Sequence, residues 1–236
     1  MTAASSVSAS GPTSKRGFDL PRKSRSEQGR ARSVLQSLYA RYPDAKCALH
    51  FRNPYELLVA TILSAQATDV SVNQATPGLF ERFPEPSALA AVEPEAVEPY
   101  IRTIGLFRSK AKSLVATSRA LVGEHGGVVP REMESLTALR GVARKTANVV
   151  LGNAYGINVG VVVDTHVRRL SQRFGLTAHE DVNRIERDLM ALFPRREWTM
   201  LSHLLIEHGR AVCKARGASC GSDSICRRFC SNASGG

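Results

Sequence analysis

The sequence predicts an all-α fold, and three observations lead there. Apolar residues recur at helical spacing from Val34 onward. Helix-start signals punctuate the chain, most clearly Asn53-Pro54-Tyr55-Glu56, with Asn at the cap, Pro at the first helical position and Glu at the third. The one strand-like run, 159–163, has no second run to pair with, so it reads as an extended connector or a helix ending.

The elements follow in order. Residues 1–30 are rich in Ser, Ala, Gly, Lys and Arg and lack apolar periodicity, so they read as a disordered basic tail. Up to Arg32 this stretch carries seven lysines and arginines against two acids, which would add non-specific attraction to a polyanion such as nucleic acid. Its Ser/Arg-rich, acid-poor character is also that of an organelle transit peptide. Val34, Leu35, Leu38, Tyr39 and Tyr42 then make one apolar helix face. The helix starting at Asn53 runs on to Ala65 and is apolar almost all round, as a deeply buried helix is. Pro77-Gly78 should end or kink the next helix, which Asp69 is expected to cap. Further helices are expected over 107–124, ending at Gly126-Gly127, and over 180–193 and 197–212.

The chain has 236 residues, 43% of them hydrophobic, enough for one large domain or two small ones. Its net charge of +11 points to a polyanionic partner, nucleic acid first and an anionic membrane second. No apolar run approaches the ~20 residues of a membrane span, and no hydrophobic signal core follows Met1. An intracellular location is expected. In a reducing compartment the cysteines read as ligands or core residues, with Cys47 in the core.

The segment Leu139-Arg140-Gly141-Val142-Ala143-Arg144-Lys145-Thr146-Ala147 reads as a glycine turn opening a helix. A helix N-terminus presents free N–H groups that bind phosphate. Lys145, in that first turn, is either a phosphate contact or a nucleophile. Asp164, nineteen residues later in Val163-Asp164-Thr165-His166, favours the nucleophile. A plain turn with a solvated lysine, and Asp164 as a helix cap, are the ordinary alternatives. A nucleophilic amine must shed its proton, and a free lysine, with a pKa of about 10.4, is almost fully protonated at neutral pH. The adjacent Arg144 and the electropositive helix end favour the neutral amine, whereas bound phosphate and Asp164 oppose it.

This hairpin, with Leu63-Ser64-Ala65-Gln66-Ala67-Thr68-Asp69, Ile104-Gly105-Leu106-Phe107, Leu205-Ile206-Glu207-His208-Gly209-Arg210 and a C-terminal cysteine cluster, resembles the endonuclease III family of helix-hairpin-helix DNA glycosylases. The likeness runs from about residue 30 to Cys230. It implies two helical domains with DNA in the cleft between them. One is a six-helix barrel bearing the hairpin, 48–160. The other is discontinuous, 31–47 with 161–236, and carries the cysteine loop. The implied activity is a bifunctional glycosylase and abasic-site lyase, acting as a monomer on duplex DNA with an oxidised pyrimidine or abasic site. By resemblance, Lys145 attacks the sugar carbon and forms a Schiff base, and Asp164 stabilises the positive sugar. Gln66 fills the space left by the extruded base and Leu106 wedges the opposite strand. Arg140, Gly141, Ala143, Arg144 and Thr146 meet the DNA. Cys213, Cys220, Cys226 and Cys230 hold a [4Fe–4S] cluster, with zinc or an empty loop as alternatives.

Four departures from the family pattern keep other readings open. Arg140 stands in the place of a usual proline and Ala143 in that of a second glycine. If that position needs a positive φ, alanine costs about 1–2 kcal/mol there. The Lys145–Asp164 connector is one residue longer than usual. The cysteines are spaced x6, x5, x3 rather than x6, x2, x5. A weakly active or non-catalytic DNA-binding paralogue is therefore one rival reading and a monofunctional base glycosylase another. Lys145 argues against the latter.

Overall fold

A computed structural model describes residues 19–216 and 220–231. Most of the expected basic tail, residues 1–18, lies outside the described residues. Twelve α-helices and no strand occur among those described.

The tail ends earlier than expected. Helix α1 (Arg25–Arg41) begins inside it, because Ser24 and Glu27 form a reciprocal capping box. Lys23 is also held, with its ammonium 2.7 Å from the buried Asp188 carboxylate. Helix α2 (Pro54–Leu63) is capped by Asn53 and buried along nearly its whole length, but it stops at Leu63 rather than Ala65. Helix α3 (Asp69–Arg82) is capped by Thr68, not by Asp69. It passes through Pro77 without ending. The proline lies on the exposed face, while Val72, Thr76, Leu79 and Phe80 anchor the other face in the core, and that packing outweighs the lost hydrogen bond.

Two short helices, α4 (Pro86–Ala90) and α5 (Pro94–Ile101), pack on α6 (Phe107–His125), which ends at left-handed Gly126. Then come α7 (Met133–Ala138), α8 (Arg144–Tyr155), α9 (Thr165–Arg173), α10 (Val182–Leu192), α11 (Trp198–Ala211) and α12 (Ser224–Phe229). Residues 157–164 form the connector between α8 and α9, with Val161, Val162 and Val163 buried.

The apolar side chains gather in two cores. One runs from Leu49 to Leu151 and is built by the helices α2 to α8. The other joins Ala31, Val34 and Leu38 of α1 to residues from Val161 to Cys230. Helix α8 of the first core touches α11 of the second. No described helix is long and apolar enough to cross a membrane.

Candidate active site and nucleic-acid interface

The hairpin is α7, a turn, and the start of α8. Gly141 provides the turn with φ +81°, a conformation that disfavours side chains. A Cβ there would also sit 3.2 Å from Ser113 Cβ. Helix α6 steadies the turn, since Thr117 Oγ1 donates to the Arg140 carbonyl at 2.7 Å. Ala143 has φ −83°, so the alanine is unstrained and the turn needs no second glycine. Ala143 caps α8 without a side-chain hydrogen bond, which leaves the first-turn N–H groups for an anion. Arg140, Gly141, Ala143, Arg144 and Lys145 are exposed and Thr146 is half-buried. The Arg144 guanidinium is already engaged: Nε and Nη2 each donate to the Glu186 carboxylate at 3.0 Å.

Asp164 caps α9, its Oδ1 accepting from Val167 N–H at 2.7 Å. Lys145 and Asp164 grow from different cores, yet both line one cavity of about 410 Å³. Gly141, Ala143, Thr146 and Gln66 line it too; Leu106, Arg140, Arg144 and the four C-terminal cysteines do not.

Gln66 and Leu106 are the only non-glycine residues among those described with positive φ, +55° and +60°. Each such conformation costs roughly 1–2 kcal/mol, and strain of this kind collects at functional sites. Gln66 is exposed and Leu106 is 62% exposed. Their loops adjoin, because a Cβ on Gly105 would lie 4.0 Å from the Gln66 carbonyl.

One wall of the cavity was not foreseen. Thr199, Ser202, His203, Ile206, Glu207 and Arg210 form a stripe along α11. The signal in the sequence is a largely polar line at i, i+3, i+4, i+7, i+8 and i+11 on an otherwise apolar helix. Asn153 Nδ2 donates to the Val149 carbonyl, so its Oδ1 accepts from His203 Nε2–H at 2.7 Å. Burial pushes His203 down to about 4, so the ring is neutral and its Nδ1 carries a lone pair. Arg210 pairs with Asp69, joining α11 to α3 beside the cavity.

The four C-terminal cysteines are buried, and their Sγ atoms lie within 4.8 Å of one another. Cys213 and Cys220 are 3.8 Å apart. Burial, then the neighbouring thiols, raises Cys226 far above the usual thiol range, so four thiolates need a cation to share this space. Arg173 Nη1 sits 3.2 Å from Cys213 Sγ, and His208 Nε2 lies 3.3 Å from Cys226 Sγ. Asp223 caps α12, accepting from Ile225 and Cys226 N–H at 2.9 Å. Cys47 packs at the edge of the first core and also lines the cavity.

Comparison with known proteins agrees with this geometry. Residues 59–195 match the HhH-GPD superfamily of base excision DNA repair proteins. Endonuclease III of Synechocystis is 53% identical over 86% of this chain and 92% of its own. The chain belongs to the endonuclease III family. Endonuclease III of Escherichia coli K12 is 43% identical over 80% of this chain and 89% of its own. A solved endonuclease III–DNA covalent intermediate superposes with a TM-score of 0.83 at 40% identity, covering 88% of this chain and 97% of that one. A thermostable thymine-DNA glycosylase shares the fold, with a TM-score of 0.77 at 20% identity. As a member of this family, the chain is a DNA-binding glycosylase and abasic-site lyase of base excision repair.

Proposed function

We propose that Lys145 is the nucleophile and Asp164 its electrostatic partner in removing oxidised pyrimidines from duplex DNA. The single observation carrying this is that these two side chains, from different cores, line one cavity beside the strained Gln66 turn. Lys145 Nζ attacks C1′ of an extruded nucleotide. The C1′–N bond breaks, and its electron pair leaves with the base, which takes up a proton. The amine loses its protons as the sugar ring opens, leaving a Schiff base. Removal of a C2′ proton then expels the 3′-phosphate, and water frees the lysine. The Asp164 carboxylate, oriented by Val167 N–H, offsets the positive charge that develops on the sugar. Gln66 occupies the vacated stack and Leu106 the opposite strand. The uncapped start of α8 holds backbone phosphate.

The protein acts inside the cell as a monomer. Cys213, Cys220, Cys226 and Cys230 suit a [4Fe–4S] cluster, whose role is to cross-link the loop that bears Lys214, Arg216, Arg227 and Arg228. A tetrahedral zinc is the second reading. It is favoured by the 3.8 Å Cys213–Cys220 separation, because zinc–sulfur bonds of about 2.3 Å give a similar edge. Iron, sulfide and zinc analysis separates the two. The unstrained Ala143 removes one motive for an inactive paralogue.

The deciding experiment incubates the full chain with duplex DNA carrying thymine glycol and adds borohydride. A covalent adduct that Lys145→Ala abolishes is the expected result. Base release without an adduct would mean a monofunctional glycosylase, and binding with neither an inert paralogue.

A further inference from the structure

Glu186 on α10 lies in none of the motifs that carry the family likeness. It is 6% exposed, and it receives three hydrogen bonds from side chains of α8. Arg144 Nε and Nη2 supply two, and Asn148 Nδ2 supplies a third at 3.2 Å. Asn148 gives up something for this: its own Oδ1 is buried without a partner. The connector rests on the same carboxylate. A Cβ on Gly160 would lie 2.0 Å from Glu186 Oε1, 2.7 Å from Asn148 Nδ2 and 3.2 Å from an Arg144 nitrogen. A side chain there would displace the Glu186 carboxylate and the groups bonded to it.

The placement is informative. Arg144 immediately precedes Lys145, and Asp164 follows Gly160 by four residues. One buried carboxylate thus touches both the helix that bears Lys145 and the chain that delivers Asp164. The Arg144 side chain is 47% exposed, so the pair adds little stability by itself. A two-pronged guanidinium–carboxylate pair does fix a geometry, and a displacement of about 1 Å at a reacting centre can cost ~100-fold in rate.

We propose that Glu186 is a positioning residue that sets Lys145 against Asp164, with Arg144 as its partner rather than a phosphate contact. This rests on the Lys145–Asp164 reading above. The test uses full-length Glu186→Gln, Arg144→Met and Gly160→Ala. Adduct formation is measured under single turnover with a thymine-glycol duplex and borohydride. Affinity and its salt dependence are measured with a duplex carrying a tetrahydrofuran abasic analogue, which cannot form a Schiff base. We expect trapping to slow by about 10- to 100-fold in each variant. The analogue Kd should stay within about twofold, with its salt slope unchanged.

Trapping at the wild-type rate overturns the proposal. So does an Arg144→Met salt slope reduced by about one, since that marks a lost phosphate contact. Arg144→Lys keeps the charge but loses the two-pronged bond, and it carries the same expectation if Glu186→Gln fails to fold. A wild-type chain that forms no adduct refutes the Lys145 reading itself, and the clamp with it.

Discussion

The Lys110 ammonium donates to the carbonyl of Leu63 at 2.9 Å, and this bond ties together the two loops that carry Gln66 and Leu106. Leu63 ends α2, three residues before Gln66, and Lys110 lies four residues after Leu106. Lys110 is 6% exposed, and burial lowers its pKa. Lys110→Met removes the cost of burying a charge while keeping most of the volume. Melting temperature should change by only a few degrees, whereas single-turnover base release should fall about tenfold as the two loops lose register. Equal release by variant and wild type would show that the tie is dispensable.

Leu106 gives a trade-off between stability and activity. Its left-handed backbone costs roughly 1–2 kcal/mol, while a glycine there adds only about 0.5–1 kcal/mol of unfolded-chain entropy. The side chain is 62% exposed, so little burial is lost. Leu106→Gly should therefore stabilise the fold by up to about 1 kcal/mol and slow removal of a lesion from duplex DNA. Urea denaturation beside a base-release assay checks both signs. A destabilised variant would refute the strain argument.

The hairpin makes opposite forecasts at two neighbouring positions. Gly141→Ala meets both the φ of +81° and Ser113, and should cost about 1–3 kcal/mol and weaken DNA binding. Ala143→Gly starts from φ −83°, so restoring the usual glycine should add no stability. Denaturation midpoints of the two variants decide it. A clear gain from Ala143→Gly would mean that the alanine is strained after all.

His203 predicts a pH dependence. Its ordinary pKa of 6.5 falls to about 4 in the folded chain because of burial. Between those values the unfolded chain binds a proton that the folded chain refuses. The contribution is therefore complete above pH 6.5 and is lost as pH falls toward 4. At pH 5 the loss should be on the order of 1–2 kcal/mol. Urea midpoints at pH 7 and 5 should diverge less in His203→Asn than in the wild-type chain. Equal divergence would show that the ring titrates freely.

What was legible in the sequence is local. The cap at Asn53, the Gly141 turn and the exposed start of α8 all depend on residues within a few positions of each other. Short-range hydrogen bonds and glycine's backbone freedom are written into neighbouring residue types. The motifs around Gln66, Leu106 and Lys145 took their roles from the family resemblance, which local chemistry alone does not supply. Pro77 misled because its local penalty is overruled by a buried helix face, and Asp69 because Thr68 beside it was free to cap.

Tertiary structure alone decided which distant groups meet. Arg144 finds Glu186 forty-two residues away, Asp69 finds Arg210, and His203 finds Asn153. The four cysteines were expected to act together, but how closely their sulfurs approach depends on α12 packing into the second core. These pairings follow from how two apolar cores seat against each other. That seating is the sum of many weak, non-directional contacts, and no short run of residues encodes it.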